Sequence, residues 1–419
     1  MSNERIAAPI LSLRLDSSHC PQSGGRVHLV CEVTTPPALA ELSRRPLELV
    51  FVLDASGSMA GEKLEAVKRA SVGLISRLSP LDRVSLVTFA EDVRIHGHSA
   101  APHTAPCAQL LVELMQLRTR GRTNLSGGWL TGVELAMGAR ESGRRPVVLL
   151  LSDGQANAGE VDPEKLATLA AHTSGQGITT TCIGVGADYS LSQLGAISEA
   201  GGSRFHHADT ADAIEAVILG ELGELETTCL DFADLALSVP PGFSMQPLSM
   251  EAQQTDGSMR IFRLGALLFG ATRRVVVALD APAAWEGAEQ RIHVALHAMR
   301  AVDGAPVTLG ASVCLHWADR ECGLRRAEDV LLVVQQWRAW LERMAASANE
   351  RGDLGAVRQL LDLHLPPLQT YARTHPEAEQ ELTACLHNLL RAATPMSPMQ
   401  CREEFISARK RGRGERDLR

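Results

Sequence analysis

The sequence predicts an α/β fold: a doubly wound, mostly parallel sheet that is inserted in a β-sandwich and followed by a helical C-terminal region. Between Leu47 and about Glu226, apolar runs typical of buried strands alternate with stretches whose apolar residues recur at helical spacing. On either side of that segment, apolar and polar residues alternate with a period of two, which indicates strands with one face on a core. Because a chain of 419 residues is longer than a single compact core usually accommodates, we expect more than one domain.

The central segment begins with Leu47–Asp54, whose nearly continuous apolar run suits a parallel strand buried on both faces. A short antiparallel edge strand, Val93–Gly97, is expected because only Glu91 and Asp92 separate it from the strand before it. The other predicted strands are Arg83–Ala90, Pro146–Asp153, Thr179–Gly186 and Arg204–His207. The predicted helices are Lys63–Leu78, Gly127–Arg140, Pro163–Thr173, Leu191–Ala200 and Ala211–Leu225.

The domain boundaries follow from where these patterns change. Residues 46–226 carry the α/β pattern, and residues 9–45 and 227–320 carry the β pattern. The first β segment is too short to bury a core alone, so we expect both flanks to build one β-sandwich around the α/β domain. A helical tail is predicted over residues 325–408.

Two details of the tail are also predicted. A helix from Leu354 to about His364 is expected to end before Pro366 and Pro367, since proline lacks the amide hydrogen that a helix interior needs. The basic end, residues 409–419, is predicted to be disordered.

Composition narrows the class of function. There are 41 basic and 49 acidic side chains, and the net charge of −8 argues against nucleic-acid binding by the whole chain. No apolar run approaches the roughly 18 residues of a membrane span, and the N-terminus lacks the pattern of a signal peptide. The nine cysteines include no CxxC pair, which favours reduced thiols. We therefore expect a cytoplasmic protein.

Five oxygen-bearing side chains are predicted to meet at one edge of the central sheet. Asp54 ends the first strand, and Ser56 and Ser58 follow it in a turn that leads into a helix. Asp153 ends another buried strand, and Thr123 stands just before a helix. Open α/β sheets bind ligands at the carboxyl ends of their strands. Two carboxylates at one site need a cation between them, or one of them must take up a proton. With a cation, hydroxyls and water would complete a hard oxygen shell around Mg²⁺ or Mn²⁺, whereas zinc and copper prefer softer ligands.

These five residues resemble the metal-ion-dependent adhesion site of the von Willebrand factor A domain, the fold also found as the inserted domain of integrins. That site has the pattern Asp-x-Ser-x-Ser, then a distant Thr, then a distant Asp. The contexts VFVLDASGSM, GRTNLSGG and LLLSDGQANAG are similar to those of the family, and the resemblance covers roughly Leu47 to Glu226. It implies that the two serines and the threonine bind metal directly or through water, and that the second aspartate often acts through water. It also implies one open metal position, which a glutamate or aspartate of a partner protein fills.

A second resemblance concerns the flanks. The segments RLGALLFGATRRVVVAL and SANERGDLGAVRQLL are similar to the β-sandwich and helical tail of bacterial proteins often called calcium-activated chloride-channel-like. Because this sequence has no membrane span, the resemblance implies the architecture and not the transport. Intracellular bacterial relatives often work beside AAA+ ATPases or in stress and defence gene clusters, which implies partners of that kind.

The residues beside the five ligands are interpreted more modestly. Asn124, Gln155 and Asn157 are expected at the rim of the site, where they could contact a partner. His206 and His207 have no acidic or cysteine neighbour at ligand spacing, so we expect structural roles for them. Helix capping alone would explain the first aspartate and serines, but not the threonine and the second aspartate in their contexts.

Three functional hypotheses follow. The first is a non-enzymatic, metal-dependent protein-binding module that captures an acidic residue of a partner through a divalent cation, with Mg²⁺ preferred and Mn²⁺ and Ca²⁺ as alternatives. The second is a Mg²⁺-dependent phosphotransferase or phosphatase with Asp54 as nucleophile, in which Ser56 stands where such enzymes carry a second acid. The third is a scaffold in which the metal is only structural.

Overall fold

The computed structural model describes residues 7–38, 44–138, 142–186, 189–249, 254–256, 259–318 and 325–413. The strands are β1 (Ile10–Leu15), β2 (His19–Pro21), β3 (Gly25–Thr34), β4 (Leu47–Asp54), β5 (Arg83–Phe89), β6 (Val93–Ala100), β7 (Arg145–Ser152), β8 (Thr179–Val185), β9 (Phe205–Ala208), β10 (Thr228–Ser238), β11 (Ser244–Pro247), β12 (Gln254–Asp256), β13 (Met259–Leu268), β14 (Thr272–Ala281), β15 (Glu289–Arg300) and β16 (Pro306–Ala318). The helices are α1 (Glu62–Ser76), α2 (Ala105–Met115), α3 (Leu125–Met137), α4 (Pro163–Gly175), α5 (Leu191–Ala200), α6 (Ala211–Glu226), α7 (Ala327–Glu350), α8 (Leu354–Ala372), α9 (Pro376–Arg391) and α10 (Pro398–Arg413).

The chain divides into two units. The α/β unit consists of residues 38–232 with 299–305, and the flank unit consists of residues up to 37 with 233–298 and 306–419. Each unit therefore contains segments that are distant in sequence.

The sheet of the α/β unit has the strand order β6-β5-β4-β7-β8-β9. Its neighbouring strands are parallel except for β6, which is antiparallel to β5. The predicted doubly wound sheet with one antiparallel edge strand is thus confirmed. Numbered within the unit, the order is 3-2-1-4-5-6, so the direction of winding reverses between β4 and β7. Such a reversal opens a crevice at the carboxyl ends of the two strands, where Asp54 and Asp153 stand.

Helix α3 packs unusually close to the middle of this sheet. A β-carbon at Gly132 would lie 2.3 Å from Cγ2 of Val52, and one at Gly128 would lie 2.5 Å from the ring of Phe89. The two glycines are one helical turn apart, so together they clear the face of α3 that meets the strands. The close packing holds the N-terminus of α3 beside the strand ends, where the backbone N–H of Asn124 donates to the carbonyl of Ala90 over 2.8 Å.

Most predicted elements of this unit agree with the structure, apart from their ends. Helix α2 was not anticipated, because only three of its residues are buried and their apolar pattern is short. Helix α3 begins at Leu125, two residues before the predicted start, and the predicted end at Arg140 lies outside the described residues.

The flank unit contains two sheets, each built from both sides of the α/β insertion. One has the order β1-β3-β14-β11, and the other has the order β12-β13-β10-β15-β16-β2. In the first, β14 pairs with β3 along a ten-residue antiparallel ladder, from Thr272 opposite Thr34 to Ala281 opposite Gly25. In the second, β2 adds parallel to β16. The face-to-face packing of the two sheets as a sandwich stays a prediction.

The C-terminal helices belong to the flank unit as well. Residues of α7, α8 and α9 share one hydrophobic core with Val30 of β3 and Val276 of β14. The predicted end of α8 near His364 is wrong, since the helix continues through Pro366 and Pro367 to Ala372. Both prolines are exposed, so water can satisfy the carbonyls left without an amide partner, while buried residues on the other face hold the helix against the core.

The prediction of disorder from residue 409 is also wrong for its first five residues. Helix α10 continues to Arg413, Arg409 is buried, and a guanidinium nitrogen of Arg411 donates to Oε2 of Glu342 on α7 over 2.5 Å. Partnered charges explain why a basic sequence is ordered here. Residues 414–419 lie outside the described residues. Within the described chain, no helix combines the length and the apolar character that crossing a bilayer requires.

Candidate metal centre

The last residue of β4 is a fully buried carboxylate. Oδ1 of Asp54 accepts the backbone N–H of Ser56 over 2.8 Å, and Oδ2 accepts the hydroxyl of Ser152 over 2.6 Å. Burial raises the pKa of the Asp54 carboxyl; the two serines oppose that rise through hydrogen bonds, and the charge of Asp153 adds to it. A cation bound at this point would offset both the free-energy cost of burying the Asp54 charge and its repulsion by Asp153.

A chain of hydrogen bonds joins the turn after β4 to the end of β7. The hydroxyl oxygens of Ser56 and Ser58 lie 3.0 Å apart, and Ser58 donates to Oδ1 of Asp153 over 2.7 Å. Asp153 is fully buried, whereas Ser58 is exposed. Four of the five predicted ligands are thus brought together by direct hydrogen bonds: Asp54, Ser56, Ser58 and Asp153.

Thr123 reaches the same place on a loop attached to the strand ends. The N–H of Arg120 donates to the carbonyl of Ala55 over 2.6 Å, which ties the start of this loop to the turn after β4. A β-carbon built on Gly154 would lie 3.4 Å from Oγ of Ser58 and 3.5 Å from Oγ1 of Thr123. The two hydroxyls therefore flank one point beside Gly154, next to Asp153.

The three predicted rim residues have different surroundings. Asn157 fixes the Thr123 loop, because its Oδ1 accepts the N–H of Thr123 over 2.9 Å and its own N–H donates to the Thr123 carbonyl over 3.1 Å. Asn124 caps α3 by accepting the N–H of Gly127 over 3.0 Å. Gln155 is exposed. Two of the three thus have a role in holding the ligand loops, and any contact with a partner stays a prediction.

Two residues of the site were not anticipated from the sequence. Ser152 donates to Asp54, and Lys63 in the first turn of α1 donates from Nζ to Oδ2 of Asp153 over 2.6 Å. Ser152 directly precedes Asp153, so its proximity could have been suspected. Nothing in the spacing of Lys63 indicates its partner, which comes from a strand 90 residues later.

The donors at this edge of the sheet fit a hard divalent cation. They are two carboxylates and three hydroxyls, with no thiol or imidazole among them. Both aspartates are fully buried, and buried carboxylates in a pair are usually neutralised by a cation or by a proton.

A second cluster of charged groups lies elsewhere in the unit. His206, Glu221 and Glu224 have ligand atoms close enough to share a metal ion. Arg204 already pairs with both acids, at 2.5 Å to Glu221 and 2.9 Å to Glu224, and His206 lies 3.1 Å from Glu221. The cluster is therefore an ion-pair network. We expected a structural role for His206 from the absence of ligand spacing in the sequence, and the network does not contradict that role; the acidic neighbour Glu221 comes from α6, which sequence spacing did not reveal.

Comparisons with known proteins show what the central segment is similar to. The sequence model of the von Willebrand factor type A domain matches residues 48–218. Inter-alpha-trypsin inhibitor heavy chain H3 of Homo sapiens is 36% identical over 129 residues, which is 29% of this chain and 14% of that protein. The Synechocystis protein described as "Uncharacterized protein sll0103" is 30% identical over 247 residues, 56% of this chain and 57% of that one. This chain thus spans only a small part of the heavy chain.

Two solved structures share the fold over nearly the whole chain. The von Willebrand factor type A protein from Catenulispora acidiphila aligns with a TM-score of 0.65 at 17% identity, covering 94% of this chain and 98% of that one. The ArnB paralog VWA2 from Sulfolobus acidocaldarius aligns with a TM-score of 0.62 at 15% identity, covering 98% and 99%. At these identities the likeness concerns the fold alone. From the sequence match and the sheet topology together, residues 48–218 form a von Willebrand factor type A domain.

Proposed function

We propose that the α/β unit is a metal-dependent protein-binding module without catalytic activity of its own. A divalent cation, Mg²⁺ by the chemistry of the donors, is held by the two aspartates and three hydroxyls at the ends of β4 and β7 and on the Thr123 loop. The cation keeps one position for an acidic side chain of a partner protein. The observation that carries this proposal is the convergence of all five oxygen donors on one crevice.

The charges around the site support an acidic guest. Asp54 and Asp153 contribute two negative charges, and Lys63 neutralises one of them through its contact with Asp153. A divalent cation would therefore leave an excess of one positive charge. An external carboxylate would balance that excess, and it would also supply the hard oxygen ligand that Mg²⁺ prefers.

The phosphotransferase hypothesis receives less support. An aspartate nucleophile must meet the phosphoryl group of a substrate, but the Asp54 side chain is fully buried, and a phosphoryl group is far larger than a single metal ion. Ser56 stands two residues later, where that class carries its general acid. Acyl-phosphate trapping at Asp54 with a phosphate donor and Mg²⁺ would give no product under our proposal.

Titration calorimetry with MgCl₂ tests the metal site. We expect Asp54→Ala to abolish binding and Thr123→Val, which removes only a hydroxyl, to weaken it about 10- to 100-fold. Thr168→Val is the matched control, because the Thr168 hydroxyl is exposed and bonds only within α4, to the carbonyl of Glu164. Equal Mg²⁺ affinity of wild type and Thr123→Val would remove the threonine from the site, and equal affinity of Asp54→Ala would refute the site.

Affinity capture tests the function itself. The immobilised full chain is exposed to lysate in Mg²⁺ and then eluted with EDTA, and the Asp54→Ala variant serves as the control column. We expect proteins that leave only the wild-type column on chelation, and an AAA+ ATPase or a component of a stress or defence complex would agree with the family resemblance. If chelation lowers the melting temperature of the chain but releases nothing, the metal is structural and the adhesion proposal is wrong.

A further inference from the structure

Lys63 occupies a position at the metal centre that the fold alone does not explain. It lies in the first turn of α1, where the helix dipole favours acidic residues and disfavours an ammonium group. Its neighbours Glu62 and Glu65 follow that preference. Lys63 instead directs its charge at Asp153, and Nζ lies 2.6 Å from Oδ2 of that buried carboxylate.

The end of β8 leaves room for this ammonium group. A β-carbon at Gly186 would lie 2.7 Å from Cε and 2.9 Å from Nζ of Lys63. Gly186 has a φ of +71°, a conformation that other residues rarely adopt. The backbone conformation therefore favours glycine here, and the absence of a β-carbon leaves the space that the lysine side chain occupies. The lysine side chain is 30% exposed, which leaves it a path to move aside.

The lysine and a metal ion would act on the same carboxylate. One oxygen of Asp153 accepts the hydroxyl of Ser58, and the other accepts Lys63. A dication that approaches the crevice therefore meets one uncompensated carboxylate instead of two, and it is also repelled by the ammonium group. Both effects oppose metal binding, whether the lysine moves away or stays.

We propose that Lys63 is a tethered counter-cation that sets the divalent affinity of this site. It lowers that affinity, and it keeps two buried carboxylates compatible with the folded chain at low metal concentration. The inference deepens the proposed function and rests on it, because it concerns the same five ligands. Its consequence is that occupancy, and with it partner capture, would respond to changes in the concentration of free divalent metal.

The test is a titration of the full chain with MnCl₂, followed by electron paramagnetic resonance of the free ion and by thermal unfolding in EDTA. We expect Lys63→Met to bind Mn²⁺ at least about tenfold more tightly than wild type and to melt at a lower temperature in EDTA. Lys165→Met is the control, since it removes the same charge from a side chain that is 67% exposed and pairs with Glu160. It should behave as wild type.

The outcomes separate this inference from the proposed function. If wild type binds Mn²⁺ and Lys63→Met binds it no more tightly, the inference is overturned and the metal site stands. If neither binds, both fail. If only Lys63→Met binds, the lysine has replaced the metal in the natural chain, so the inference stands and the proposed function fails. Lys63→Gln removes the charge but keeps a hydrogen-bond donor for Asp153, and it is measured in parallel. It should also bind Mn²⁺ more tightly than wild type, and it replaces Lys63→Met in the test if that variant does not fold.

Discussion

Replacing Asp54 with asparagine should stabilise the chain and abolish its response to metal. The asparagine has nearly the shape of aspartate and can keep both contacts, since its oxygen can accept the N–H of Ser56 and its amide can donate to Ser152. What it loses is a negative charge that is fully buried beside another carboxylate. The substitution should therefore raise the stability of the folded chain while it removes metal binding, which is the common trade-off between stability and function at a binding site.

The size of the effect follows from three opposing contributions. Burying a carboxylate costs several kcal/mol even after relaxation of the protein. Two hydrogen bonds to the charged group return about 1.5–3 kcal/mol each, against about 0.5–1.5 kcal/mol for each neutral bond that replaces them. Repulsion by Asp153 adds to the cost of the charge. The balance favours the neutral side chain by about 1–2 kcal/mol, which corresponds to a rise of roughly 2–8 °C in melting temperature for a unit of this size.

The assay is thermal unfolding of wild type and Asp54→Asn in EDTA and in MgCl₂. Wild type should gain stability with Mg²⁺, and the variant should start higher and gain none. Asp92→Asn is the control, because the Asp92 carboxylate is half-exposed in its pairs with Arg94 and Arg120, and ion pairs of solvent-exposed groups contribute about 0–1 kcal/mol. If Asp54→Asn melts well below wild type in EDTA, the charge of Asp54 supports the fold and our account of the site is wrong.

Two further predictions concern buried charges away from the site. Arg145→Met should lower the free energy of unfolding in urea by about 3–5 kcal/mol, because it leaves the buried carboxylate of Asp231 without its partner at 2.5 Å. The double variant Arg145→Met with Asp231→Leu should recover most of that loss. Equal losses in the single and double variants would contradict the reasoning. Burial raises the pKa of Glu221, but Arg204 and His206 outweigh it and bring the pKa to about 2, below its ordinary value of 4.5. Stability of about 3 kcal/mol from this group is therefore present above pH 4.5 and is lost as the pH falls from about 4.5 to about 2, so Glu221→Gln should flatten that part of the stability profile.

What the sequence could predict was local or followed from topology. The apolar runs before Asp54 and Asp153 locate two buried strands, and the alternation of strands with helices requires both carboxyl ends to lie on one edge of the sheet. The two aspartates could therefore be placed together without any knowledge of their distance. Thr123 could be added only because its context resembles a known family, since its loop follows no strand.

What the sequence could not predict depends on contacts between distant segments. Lys63 contacts Asp153, which lies 90 residues later in the sequence, and Glu221 of helix α6 contacts His206 of strand β9. Neither pair has a spacing that periodicity or a short pattern could expose. The continuation of α8 through Pro366 and Pro367 is similar, because packing against α7 overrides the local preference of proline to end a helix.

The position of the centre also explains how the fold tolerates it. Both aspartates end strands that are buried along their whole length, and β4 lies between β5 and β7 in the middle of the sheet. The apolar core under these strands can absorb the cost of two buried carboxylates, whereas a short edge strand such as β9 has fewer buried residues to do so. The proposed metal centre would therefore lie where the crevice at the strand ends and a large apolar core coincide.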